Sequence, residues 1–392
     1  MKTIIQSGHA FLPNIAWDQK TNVSVEDEAI AISTDRSGAG EIINAAGCWI
    51  LPGITDLHAY LSPPNQLFPV KAIEQELNAA FQRGITQVVI PPNIQLPSVN
   101  GSTQVYKVGP LSHMLDGETL SDLNALAESG CIGFSMGRRP VKDLNTLRNF
   151  YRYAASFNFK ILIEPFEVSL SEGGFIHEGQ ISDRTGLKGI PALAETISIA
   201  QHLLLIEDTG VNAHFSGITC ARSVELIADG KKNGLPITAD TIMSHLHLTE
   251  IDCADFNPHC HVYPPLRSET DKRALIKGLE EGTIDAIASY HVPLTSEHKS
   301  APFSESTPGM SGFDTLLSLG LHLVNRKTLS LKTLIHALST GPQKALNLPA
   351  SKQVIILDPN AEWLVSGETF LSKGHNSPFK GLSLPGRVVH IV

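Results

Sequence analysis

The chain has 392 residues, 42% hydrophobic and 18% charged, which excludes disordered, collagen-like and disulfide-scaffold classes. With 39 acidic against 30 basic residues the formal charge is −9, so no polyanion-binding surface is expected and nucleic acid is not an expected partner. The five cysteines are scattered and lack any CxxC pair, and read as reduced thiols of a cytoplasmic protein. After Lys2 the apolar run spans three residues, too short for a signal peptide, and no stretch reaches the ~18 residues of a membrane span.

The first 50 residues read as short strands with turns, Lys2–Gln6, Asn22–Val25, Ala29–Ser33 and Glu41–Asn44. From Trp49 the pattern changes to short apolar runs alternating with amphipathic helical stretches. The runs are Ile54–Leu61, Gln87–Ile90, Val105–Val108, Cys131–Phe134, Lys160–Ile163, Val211–Phe215, Pro236–Asp240 and Asp285–Ser289. The helical stretches are Val70–Arg83, Leu120–Glu128, Val141–Ala155, Ala192–Thr209, Arg222–Asn233 and Glu269–Glu281. Buried strands alternating with helices imply βα units and a parallel sheet. Eight units fit a (β/α)8 TIM barrel. An open doubly wound sheet is the runner-up, but no Gly-rich nucleotide turn follows an early strand. Helices are expected at Gly312–Val324 and Leu331–Leu338, then strands at Gln353–Leu357 and Ala361–Val365. Both termini are expected to join in a small β-sandwich domain, residues 1–51 with 350–392, beside a barrel of residues 52–349.

Active groups of such barrels sit at the C-terminal ends of the strands. Read in that order, the strand ends offer His58 and Tyr60, Asn93, Glu164, His214 and Ser216, His245 and His247, and Tyr290 and His291. His58 and Tyr60 are two apart and should both face the barrel mouth. A His-x-His there would be a metal pair; His-x-Tyr is not.

This layout resembles the amidohydrolase superfamily, and within it the dihydroorotase family. LPGITDLHAYL is similar to the family's PGxxDxHxHL, and EGGFIHEGQISDRTGLKGIPALAE to its stretch after strand 5. YPPLRSETDKRALIKGLEEGTIDAIAS is similar to the stretch from NPPLR to strand 8, and APFSESTPGMSGFDTLL and SKGHNSPFKG to later signatures. The resemblance covers nearly the whole chain.

It fails where the chemistry would be. The family's second histidine of the first metal pair falls on Tyr60, and its substrate-carboxylate arginine on Ser62. The bridging carboxylate after strand 4 falls on Met136–Gly137, the strand-5 histidine on Glu164, and the strand-6 metal histidine on Gly217. At strand 7 an HH pair becomes Ser244–His245; the strand-8 Asp, ligand and general base, falls on Tyr290; the substrate-binding Asn before PPLR falls on Tyr263. His58 and Asn93 survive, with His245 and His291 as further candidates. Such a site holds one or two Zn2+ on His nitrogens and carboxylate oxygens, and the metal lowers the pKa of its water to roughly 7. Methionine and glycine side chains supply no such ligand, and tyrosine, with a pKa of about 10, is a poor neutral-pH ligand and base.

The expected site is therefore a vestigial pocket of His58, Tyr60, Asn93, Glu164, Gly217, His245, Tyr290 and His291, with no catalytic residue, metal or cofactor. His58 reads as a hydrogen-bonded pocket histidine, and Asn93 as a turn residue. Glu164 reads as the partner of a cation such as Arg138 or Arg139. His245 and His247 alternate along an extended segment, so one should be buried and one exposed. His259-Cys260-His261 looks metal-like but reads as a fortuitous loop, and Ser216 and Cys220 have no triad.

Two functions follow. Some bacteria carry a dihydroorotase-like chain without its metal ligands, which this sequence resembles down to the strand-6 motif AHFSxxTxAR, here Ala213–Arg222. That resemblance implies a non-catalytic subunit that holds aspartate carbamoyltransferase catalytic chains in a hetero-oligomer for de novo pyrimidine synthesis, itself expected to be a homodimer there. The alternative is an active dihydroorotase or related cyclic-amide hydrolase with a rebuilt one-metal site of Glu164, His58, His245 and His291.

Overall fold

The computed structural model describes residues 2–13, 15–27, 29–33, 40–63, 69–92 and 101–392. Eight parallel strands lie side by side in chain order: Ile54–Asp56, Ile85–Ile90, Gln104–Pro110, Cys131–Ser135, Lys160–Ile163, Asn212–Phe215, Ile237–Ile242 and Ala286–Ala288. The first and last meet just beyond their ends, where Ala59 bridges His291 and the Tyr60 amide donates to the His291 carbonyl at 2.8 Å. This contact brings the sheet round into a barrel.

Alternation along the strands divides the side chains between two cores. Leu57, Val89, Val108, Leu162, Ile242, Ala286 and Ala288 form a cluster that Tyr290 joins. Val88 and Ile90 turn instead toward the helices. Local signals fix those helices. Leu144–Ser156 starts where the Asp143 carboxylate accepts the Thr146 amide at 2.8 Å, and it buries Leu147, Phe150, Tyr151 and Ala154. Glu269–Glu280 opens on a capping box between Ser268 and Asp271, which satisfies two otherwise orphaned amides.

Strands from both chain ends form a second sheet, ordered Ser383–Ile391, Val354–Leu364, Trp49–Pro52, Thr3–Leu12, Ala16–Glu26, Ala29–Ser33, with Glu41–Asn44 against Thr3–Leu12. It has its own core of Ile5, Leu12, Val23, Ile50, Val354 and Ile356. Two strands expected over Gln353–Val365 are one strand, Val354–Leu364, whose pairing slips between Asp358 and Glu362. The Asp-Pro-Asn turn signal there produces a bulge rather than a break. The five cysteines are free thiols. Among the described residues no helix is long and apolar enough to cross a membrane.

Candidate functional site

The first strand runs into Asp56, Leu57 and His58. Asp56 is fully buried and accepts the Ser289 amide at 2.8 Å and the Ser289 hydroxyl, tying strand 1 to strand 8. Burial still pushes its carboxyl up to about 6, despite those donors. Past Ser289 the backbone turns at Tyr290, whose φ is 49°. The phenol is thereby thrown across the barrel mouth. Its ring lies flat on His58, with centroids 4.0 Å apart and planes 6° from parallel. Tyr60 meets the same imidazole edge-on at 5.5 Å. Burial pulls His58 below its usual range and pushes the Tyr290 phenol well above its own, so both are neutral. His58 Nε2 and the Tyr290 hydroxyl are buried with no hydrogen-bond partner among the described residues, an arrangement that costs about 1–3 kcal/mol per group.

Several other polar groups of the mouth are already engaged. Glu164 pairs with Arg138, Oε2 to Nε at 3.1 Å. Arg138 also donates to the Tyr263 carbonyl at 3.0 Å and stacks over the Tyr263 ring at 4.0 Å. Asp240 holds His214 Nε2 at 2.9 Å and the Gly217 amide at 2.7 Å. His245 is buried, its Nε2 within 3.2 Å of the Pro264 and Pro265 carbonyls, and burial lowers its pKa to about 4.

Several expectations need correction. His291 does not face the mouth. Its Nδ1 accepts the Gly312 and Phe313 amides at 3.1 and 3.3 Å, and its Nε2 lies 3.2 Å from Glu76. The acceptor role fixes the proton on Nε2, and the ring stacks on Phe313. The bridge to Ala59 turns this side chain outward, toward the helix Val70–Gln82. His245 and His247 do not alternate along an extended segment: Met243–Leu246 is a 3-10 turn, and His247 is half-buried with Nε2 3.2 Å from the Leu319 carbonyl. Asn93 lies outside the described residues. Sequence reading passes over Asp240 and Asp56. The signal was available, since a carboxylate inside an apolar strand such as ITADTI must find donors.

A zinc centre needs three or more donors at fixed angles. Among the described residues no three His, Cys, Asp or Glu side chains come together so as to hold a metal ion. Glu164 is neutralised by Arg138, the Asp240 carboxylate is occupied by hydrogen bonds with His214 and the Gly217 amide, and the Tyr290 ring covers Gly217. The space left between His58, Glu164 and Ser216 is about 10 Å3, room for about one water molecule. These residues do not fit the metal group that the resemblance implies. Beside the filled centre is a cavity of about 430 Å3, lined by Tyr60, Arg138, Ser244, His245, Tyr263 and Tyr290. On the helix side of the Arg138–Glu164 pair is a larger cavity of about 550 Å3, which Tyr151 and His202 also line.

A family described as dihydro-orotase-like matches residues 47–223. A "Dihydroorotase-like protein" of Pseudomonas aeruginosa is 37% identical, over 99% of this chain and 97% of its own. A "Dihydroorotase" of Syntrophus aciditrophicus is 32% identical over 99% and 97%. Among solved structures, the L-hydantoinase (dihydropyrimidinase) of Arthrobacter aurescens superposes with a TM-score of 0.84 at 20% identity, covering 100% of this chain and 94% of that one; this likeness concerns the fold. The chain belongs to the dihydroorotase family of the amidohydrolase superfamily.

Proposed function

We propose that this chain is a non-catalytic, dihydroorotase-like subunit that acts in the cytoplasm by supporting assembly of aspartate carbamoyltransferase in de novo pyrimidine synthesis. The observation that carries the reading is the Tyr290 ring stacked on His58, where the family's metal chemistry would need open space and a carboxylate. A barrel whose centre is filled by packed side chains retains its surface, and fold and chemistry are separable. Exposed apolar side chains favour association. Leu144 and Phe157 lie on and just after the helix Leu144–Ser156, and Leu193, Ile197 and Leu204 on the neighbouring helix Leu193–Thr209. The partner is the catalytic chain of aspartate carbamoyltransferase, with this chain dimeric in the hetero-oligomer. A hydrolase with a rebuilt site is the second reading, favoured by the 430 Å3 cavity. Against it, Glu164 is tied to Arg138, and His291 faces away.

Co-expression with the transferase catalytic chain, then size-exclusion chromatography with light scattering, tests the proposal. Co-elution as one large species is expected. Separate elution at micromolar concentration, with a fully assembled and active transferase lacking this chain, would overturn it.

A further inference from the structure

Outside the barrel mouth, the turn Pro258–Cys260, the segment Leu294–Ser300 and the loop Lys373–Lys380 enclose a cavity of about 400 Å3. It shares no lining residue with the cavity beside Tyr290. Its ionisable lining is His259, Lys299, Lys373, His375 and Lys380, with no aspartate or glutamate. Glu297 is on the same turn as Lys299 but does not line it. For a chain of net charge −9, this is a local reversal of sign.

Two features separate the cavity from a patch of surface lysines. Lys299 is only 5% exposed. Its ammonium donates to the Pro258 and His261 carbonyls at 2.8 and 3.0 Å. An ammonium has three donors, so one remains, and no described carboxylate pairs with it. Isolated burial of such an ion is unfavourable by several kcal/mol, and burial accordingly pulls this group down to about 7. Independently, His259 Nδ1 is buried with no hydrogen-bond partner among the described residues. Burial and the charges of Lys380 and Lys299 lower His259 to about 4, so its ring is neutral; with the ring proton on Nδ1, that nitrogen and the third N–H of Lys299 both lack an acceptor.

We infer that this cavity binds a small phosphorylated molecule, with a phosphate dianion held by Lys299, His259 and Lys380. Several converging donors suit a group with three acceptor oxygens better than a single carboxylate. A concave site of about 400 Å3 suits a soluble small molecule. The inference is independent of the assembly role.

Calorimetric titration of the full chain with inorganic phosphate and with glycerol 3-phosphate tests it, at ionic strength held with chloride. Saturable binding of both is expected. Lys380→Glu, at an exposed position, should weaken it about tenfold or more, as should His259→Gln, whereas Lys232→Gln, on a distant helix, should not. An unchanged melting temperature in chloride establishes that Lys380→Glu is folded. Absence of saturation in the wild type, equal binding by Lys380→Glu, or binding only to phosphatidylglycerol vesicles would each overturn the proposal.

Discussion

A Cβ atom built on Gly217 would lie 2.5 Å from Cζ of Tyr290, so the smallest side chain at the end of strand 6 and the aromatic ring after strand 8 occupy one space between them. Both residues are in left-handed backbone conformation, with φ of 66° and 49°. The two positions where the family places a metal histidine and a metal aspartate are thus a single packing unit.

That pairing predicts a coupling. Gly217→Ala should destabilise by about 2 kcal/mol or more, through collision and through its positive φ. Tyr290→Ala should cost about 3 kcal/mol by leaving a cavity. In the double variant the new methyl occupies the vacated space, so the cost should fall short of the sum by at least about 1 kcal/mol. Urea unfolding of the four proteins checks this, and strict additivity would contradict it.

The eight barrel strands were legible in the sequence because parallel strands buried on both sides are continuous apolar runs such as Gln87–Ile90. The pairing of Glu164 with a neighbouring arginine was legible from charge alone. What was not legible was the direction of single side chains at the strand ends. His291 sits one residue from Tyr290, but the closing bridge to Ala59 sends it to Glu76 while Tyr290 crosses the mouth. His245 does line the pocket, but on a 3-10 turn rather than an extended strand, and His247 is half-buried rather than exposed. Backbone turns of one residue leave no periodic signal.

The Arg138–Glu164 pair should behave as a partly buried ion pair, its side chains 31% and 10% exposed. Arg138→Met leaves a carboxylate without its partner and should destabilise by about 2 kcal/mol. Adding Glu164→Gln should recover part of that loss. Chemical denaturation of the single and double variants is the check, and a double variant less stable than Arg138→Met would contradict the assignment.

Stability should fall as pH drops from about 6.5 towards 4. His245 and His202 are lowered to about 4 by burial. Each binds its proton more readily unfolded than folded, so the stability it contributes is full above 6.5 and is lost as pH falls through the folded value. For His245 the difference amounts to about 3 kcal/mol. Asp56, raised to about 6 by burial, acts oppositely: its contribution is full below its ordinary carboxylate pKa and is lost as pH rises through about 6. The histidines outnumber it, so net loss in acid is expected. His245→Gln should flatten the urea-midpoint profile between pH 4 and 6.5 by about one proton. An unchanged slope would contradict this.

Metal content follows from the donor set. Purified without chelator, the chain should carry zinc well below one equivalent, and Tyr290→Asp alone should not create a site, because Gly217 and Met136–Gly137 still supply no ligand and Arg138 still holds Glu164. Plasma mass spectrometry of both proteins decides. Stoichiometric zinc in the wild type, lost in His58→Ala, would contradict the account.

Turnover is the most direct measurement. The purified chain, with and without added zinc, is assayed for interconversion of carbamoyl-aspartate and dihydroorotate. The Tyr290–His58 stack predicts a rate no greater than that of a mock preparation in both cases. A zinc-dependent rate well above the mock, abolished by His58→Ala, would contradict a non-catalytic subunit.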